Sequence, residues 1–347
     1  MKCLVIGDTH FDNVYKGYLE NQLASCLRIV NEIKPKIVVF LGDVYHHRKP
    51  SPEVLVAVHK LFQRLAVVPG LTNIYVIRGN HDSSNKSDNG LTALETLVYP
   101  GSKVSLIAQT SSLLEENFVF VPHYEDEDKV SEALSSVKDK ESIVFGHFAY
   151  KGCINTGPYF DFKVKREEFK NRTILGHLHK YSEDGDVTIL GTPWSTNFSE
   201  GEYDHYVGVL ERTNKTWGPL KKVKVDFGPR HYVAPYEALD AMQEDITDDR
   251  FFMLLRVVID KFTDEDLRAL KLELLDRFKV GHIEFKFQPV YDKVLNNRLS
   301  NYDPNSAVNL IGEDIINKYV EEQASTIPRE KLEEGLNLIK EHENPED

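Results

Sequence analysis

The stretch Ile37-Val38-Val39-Phe40-Leu41-Gly42-Asp43-Val44-Tyr45-His46 runs five apolar residues into a glycine, an acid and, three residues later, a histidine. The apolar run has the length and β-branched content of a buried strand. The glycine permits the sharp turn that would present Asp43 at the strand's end. Upstream, residues 18–33 place Leu19, Leu23, Leu27 and Val30 on one helical stripe, and residues 3–6 read as a strand ending in Asp8-Thr9-His10. Downstream, residues 52–65 repeat the helical device with Leu55, Val58, Phe62 and Leu65, before a strand at 74–77 that ends in Gly79-Asn80-His81-Asp82. Strand–helix–strand order implies parallel pairing in a helix-covered sheet, an α/β fold.

Two further strand ends carry the same chemistry. Residues 143–145 precede Gly146-His147, and residues 173–175 precede Gly176-His177-Leu178-His179. In open α/β sheets, ligands gather at the carboxyl ends of the strands. Asp8, His10, Asp43, Asn80, His147, His177 and His179 make an oxygen and nitrogen set with no thiolate. Seven ligands exceed one tetrahedral ion and suit two ions sharing a bridge, a role open to the two oxygens of Asp43. Such a pair, about 3.5–4 Å apart, polarises a phosphoryl group.

The remaining chain bounds the reading. Its 347 residues allow about two domains and an appendage. Strands near 173–175, 187–190, 206–210 and 220–225 suggest a second sheet in the same domain. A strand–helix–strand unit over 251–287 suggests a smaller one, and the stripes Val308, Ile311, Ile315, Tyr319 and Leu332, Leu336, Ile339 suggest closing helices. The expected division is 1–234, 235–292 and 293–347. The net charge of −13 argues against coating nucleic acid by bulk charge. Residues 300–347 carry −8 of it, however, while 212–230 carry +5. Three cysteines without metal-like spacing fit a reducing compartment. No run approaches the roughly 20 apolar residues of a membrane span, so a soluble cytoplasmic protein (in the host cytoplasm if viral) is expected.

The ordered motif set resembles the calcineurin-like metallophosphoesterase superfamily. Within it, Gly42-Asp43-Val44-Tyr45-His46 with Pro50-Ser51 is similar to the SbcD (Mre-eleven) double-strand-break nucleases, and Gly191-Thr192-Pro193-Trp194 resembles phage recombination endonuclease subunits. The resemblance implies a two-sheet αββα sandwich, a small α+β capping domain facing DNA, and C-terminal helices that bind an SMC-like ABC ATPase of the SbcC (Rad-fifty) type. It implies one divalent ion on Asp8, His10, Asp43 and His179, and another on Asp43, Asn80, His147 and His177. Manganese is the expected metal, with magnesium as the other candidate.

By the same resemblance, His81 protonates the leaving sugar oxygen or stabilises the charged transition state, His46 steers His81, and Asp82 fixes the loop. Arg48, Lys49, Lys221 and Lys222 are the expected DNA contacts, and a homodimer is expected. The implied activity is 3′→5′ exonuclease on duplex DNA and endonuclease on single strands or hairpins, in recombination and break repair. The alternative is a metallophosphatase or phosphodiesterase acting on a small phosphoester or phosphoprotein.

Overall fold

The computed structural model describes residues 1–88, 91–153, 162–259 and 263–287. Three sheets organise them. The first contains β1 (Lys2–Ile6), β2 (Ile37–Phe40), β3 (Asn73–Ile77) and β4 (Val104–Ile107) in parallel, with β11 (Tyr206–Thr213) antiparallel to β1, and β12 (Thr216–Trp217) and β13 (Lys221–Lys224) pairing with β11. The second has the order β5 (Ser111–Leu113), β6 (Phe118–Val121), β7 (Ile143–Gly146), β8 (Thr173–Leu175), β10 (Val187–Ile189), β9 (Ser182–Asp184). The third is a parallel trio of β14 (Gly228–Pro235), β15 (Phe251–Ile259) and β16 (His282–Phe287). The helices are α1 (Tyr18–Ile33), α2 (Pro52–Ala66), α3 (Asp128–Ser136), the single turn α4 (Gln243–Ile246) and α5 (Asp264–Phe278).

The two larger sheets stack into a mixed α/β sandwich, the fold of metallophosphoesterases. Alternation along the central strands decides where each residue goes. Leu4, Ile6, Val38 and Phe40 pack under α1 and α2. Cys3, Val5, Ile37, Val39 and Leu41 face the second sheet and meet Phe118, Phe120, Ile143 and Phe145. Both faces are therefore apolar, which is why these strands read as uninterrupted hydrophobic runs. On the far side of the second sheet, α3 sets Val130, Ala133 and Leu134 against Val119, Val121 and Val144. The layers run helix, sheet, sheet, helix.

Three expectations change. The strands at 206–210 and 220–225 do not join the second sheet. β11 covers the free edge of β1, Val5 opposite Gly208, and β13 extends it; a chain returning from the second sheet closes an edge that would otherwise lie open. The stripe of α1 is also rotated. Tyr18, Leu19, Gln22, Cys26, Ile29 and Val30 are buried, while Leu23 and Leu27 are only half-buried, because the core lies to one side of the periodic face. Finally, the small sheet begins at Gly228 rather than at 235, since the whole of β14 pairs with β15. It has its own core of Leu255, Val257, Leu270, Leu274, Phe278 and Ile283. Tyr15, Tyr18, Phe198 and Leu254 join it to the rest.

The helices expected around Val308–Tyr319 and Leu332–Ile339 lie outside the described residues. Among those described, no helix is long and apolar enough to cross a membrane.

Candidate metal centre

All seven ligand-type side chains picked from the motifs meet where the two larger sheets end together. Loops leaving β1, β2 and β3 supply Asp8, His10, Asp43 and Asn80; those leaving β7 and β8 supply His147, His177 and His179. Three take left-handed backbone, His10 at φ 44°, Asp43 at 46° and His177 at 82°. Such strain in non-glycine residues gathers at functional sites. Gly42, at φ 113°, and Gly79 leave the room this needs. A Cβ on Gly42 would strike the His147 ring, and one on Gly79 the Asp43 carboxylate.

Asp43 holds the middle. Its Oδ2 lies 3.7 Å from His10 Nε2 on one side and 3.4 Å from His147 Nε2 on the other. Beyond His10, His179 Nε2 faces His10 Nε2 at 3.0 Å. Beyond His147, Asn80 Oδ1 lies 2.9 Å from both His147 Nε2 and His177 Nδ1. Ligand atoms of Asp8, His10 and His179 fall within 4.8 Å of one another, as do those of Asp8, Asp43 and His147. Asp8 thus stands with both groups. Its Oδ1 accepts the His177 N–H at 2.9 Å, while its buried Oδ2 has no hydrogen-bond partner among the described residues.

Those features test the donor set. A buried carboxylate oxygen without a partner is costly, and imidazole nitrogens packed on each other and on carboxylates are what cations between them would satisfy. The residues fit divalent ions of the Mn²⁺, Fe or Zn²⁺ kind. The site is also held from behind. Leu41 O accepts the His147 Nδ1 proton at 2.9 Å, turning Nε2 inward. Trp194, fully buried, donates its indole N–H to Thr9 O at 3.2 Å, and Thr192 N donates to His179 O at 3.0 Å. The Gly-Thr-Pro-Trp segment thereby braces both ligand loops.

Burial works against every charge here. It raises Asp8, lowers His10 well below 6.5, and with the His147 charge lowers His177 to about 3. Burial also opposes ionisation of Asp43 and protonation of His147, but their attraction outweighs it. Asp43 lies well below the usual carboxylate range and His147 rises to about 9.

His81 lines the same cleft, about 360 Å³ in volume, with Asp43, Asn80, His177, His179 and Glu200. The contact orienting it differs from expectation. Its Nδ1 donates to the backbone carbonyl of His46 at 2.5 Å, whereas the two rings stand 5.9 Å apart. The His46 imidazole instead turns towards Asp12 and His47. Asp82 is buried and accepts the N–H groups of Tyr45 at 3.1 Å and Gly79 at 2.9 Å.

The basic residues do not form one free face. Arg48 donates to Ser83 O and Asn85 O and pairs with Glu125. Lys221 pairs with Glu211 at 3.0 Å, and the Lys222 ammonium sits over the Tyr181 and Tyr206 rings. Lys49 is exposed.

Two residues escaped the motif reading. Glu200, 3% exposed, meets His179 Nδ1 at 2.6 Å and is itself held by Thr196. A carboxylate behind a ligating histidine fixes its tautomer and orientation. The sequence signal was only a cap pattern, Asn197 followed by Glu200. His123, just past β6, stacks 6.1 Å from His177, and burial with the His147 charge lowers it to about 4. It follows a strand as the seven convergent side chains do, without the glycine that marks their motifs.

The DNA double-strand break repair protein Mre11 of Methanocaldococcus jannaschii is 25% identical over 191 residues, 52% of this chain and 51% of that one. The chain therefore spans about half the length of the curated relative it matches. The crystal structure of a hypothetical protein from Thermus thermophilus aligns with 65% of this chain and 98% of its own at 11% identity and a TM-score of 0.37. The model of the calcineurin-like phosphoesterase family matches residues 1–181, an interval holding all seven convergent side chains. A phosphoester hydrolase with candidate divalent-metal ligands at its strand ends, the chain belongs to the calcineurin-like phosphoesterase family.

Proposed function

We propose that the chain is a manganese-dependent DNA nuclease, removing nucleotides 3′→5′ from duplex ends and cutting single strands or hairpins. It would act with an SMC-like ABC ATPase of the SbcC type, as a cytoplasmic homodimer. The observation that carries the reading is a spare histidine. His10, His147, His177 and His179 crowd around Asp8 and Asp43, while His81 stands in the cleft with its Nδ1 on a carbonyl. A sugar alkoxide is a poor leaving group and needs a proton, which an imidazole left out of the ligand set can give. The similarity to a break-repair protein supports DNA as the substrate.

When bound, the two cations supply a Lewis-acid clamp on the phosphoryl group and a water-derived nucleophile at neutral pH. Asp8, His10, Asp43 and His179 would hold one, and Asp43, Asn80, His147 and His177 the other. The chain's own residues do the rest. The His46 carbonyl accepts the Nδ1 proton of His81, which leaves Nε2 as the ring nitrogen facing substrate; giving a proton to the leaving group from there requires the imidazolium. Asp82 locks the Tyr45 and Gly79 turns under His81, and Glu200 aims His179. Lys49, Arg48 and the Lys221–Lys222 strand are the proposed contacts to the DNA backbone. The residues before Gly228 would form the nuclease domain, the unit built on the sheet that starts at Gly228 a capping domain facing DNA, and 293–347 the ATPase-binding tail.

The test compares Mn²⁺-dependent cleavage of end-labelled duplex DNA with hydrolysis of a generic phosphomonoester. DNA cleavage is expected. Turnover of the monoester alone would replace this reading with a small-phosphoester or phosphoprotein hydrolase.

A further inference from the structure

We propose that Asp12, His46 and His47 form a third divalent-cation site of the zinc type, separate from the Asp43 centre. Backbone pairing assembles it. Beyond β1 and β2 the two loops stay laced together, with His10 N donating to Asp43 O, Phe11 N to Val44 O and His46 N to Phe11 O, at 2.8–3.2 Å. This short ladder carries Asp12 alongside His46 and His47. One ligand atom from each lies within 4.8 Å of the others.

The chemistry of the set is specific. Asp12 Oδ1 accepts the Asn13 N–H at 2.8 Å, leaving Oδ2 turned to His47 Nε2 at 3.7 Å. That separation is too long for a hydrogen bond. It is close to the roughly 3.4 Å between two ligands of a tetrahedral ion with bonds of about 2.1 Å. The His46 and His47 rings stand edge to face with centroids 4.6 Å apart. Two imidazoles and one carboxylate, with no thiolate, suit zinc rather than magnesium or calcium, and three protein ligands leave one position open.

The site is also graded from fixed to accessible. Asp12 is buried, and its N–H donates to Gln22 Oε1 at 3.0 Å; Gln22, fully buried on α1, donates in turn to His10 O at 2.9 Å. His46 is half-buried and His47 exposed, its side chain 64% accessible, so a cation from solvent meets an accessible imidazole over an anchored carboxylate.

Position gives the site a regulatory sense, which rests on the nuclease reading. The His46 ring lies 5.3 Å from that of His10, and the His46 carbonyl holds His81. A cation on His46 would tie down the segment whose carbonyl holds His81.

The test is a count. Full-length chain and its His47→Gln and Asp12→Asn variants are dialysed against Zn²⁺, and bound metal is measured by mass spectrometry. Each variant is expected to hold one ion fewer than the parent, and equal counts would overturn the site. The comparison is a difference, so loss of the Asp43 centre would lower all counts and leave it intact. His47→Gln, at an exposed position, carries the test even where Asp12→Asn fails to fold.

Discussion

The backbone N–H of His81 donates to Oδ1 of Asp43 at 2.8 Å, while Oδ2 of the same carboxylate lies between His10 and His147. The candidate proton donor and the candidate bridge are thus tied by main chain rather than by the His81 ring. His81→Ala keeps that N–H. The variant is expected to bind metal as the parent does and to lose roughly 10²–10⁴-fold in turnover, as removal of a general acid does. Metal content and Mn²⁺-dependent hydrolysis on one preparation decide it, and loss of metal would refute the assignment.

Glu200 reaches the centre only through His179. Glu200→Gln should keep the fold and weaken divalent-metal affinity about 10–100-fold, the usual cost of losing a carboxylate behind a ligating histidine. Competition against a chromogenic chelator measures this. An unchanged affinity would reduce the 2.6 Å contact to packing.

Protons and metal compete for His147. Its pKa rises from 6.5 to about 9 in the folded, metal-free chain, because Asp43 and Asp8 outweigh the opposing effect of burial. A raised pKa contributes stability that is complete below the unfolded value and is lost as pH climbs through the folded one. Asp82, pushed from 3.8 to about 7 by burial and by Asp43, acts with the same sign. Above about pH 7.5, where His10, His123 and His177 are neutral both folded and unfolded, the metal-free chain should therefore melt lower as pH is raised to 9. Metal binding at pH 7 should release a proton, read as a buffer-dependent binding enthalpy in calorimetry. No such dependence would mean that His147 is neutral before metal arrives.

Asp82 fixes two turns at once. Asp82→Ala leaves the Tyr45 and Gly79 N–H groups buried and unpaired, at about 1–3 kcal/mol each. Thermal or urea unfolding should register a loss of several kcal/mol, whereas a loss below about 1 kcal/mol would show that water replaces the carboxylate.

What could be read from the chain and what could not separates by range. Asp8, Asp43, His81 and His147 were legible because strand, turn and side chain lie within a few residues, and the turn constrains the chemistry. Glu200 was not, because its role exists only once residues 179 and 200 meet. The placement of β11 was equally hidden, since Val5 pairs with Gly208 across most of the domain and strand periodicity says nothing about partners. The contact from His46 to His81 was misplaced for a subtler reason. A sequence displays the imidazole, yet the carbonyl that any residue would provide makes the bond. The ion pairs of the basic segment were equally hidden, because the acids opposing Arg212 and Lys224, Glu116 and Asp204, come from other segments.

Anomalous diffraction from crystals soaked in Mn²⁺ addresses the metal pair directly. Two peaks are expected about 3.5–4 Å apart, bracketing Asp43, one reached by Asp8, His10 and His179 and the other by Asn80, His147 and His177. An absence of density beside Asp43 at saturating Mn²⁺, or ions held only at other residues, would contradict a two-metal centre.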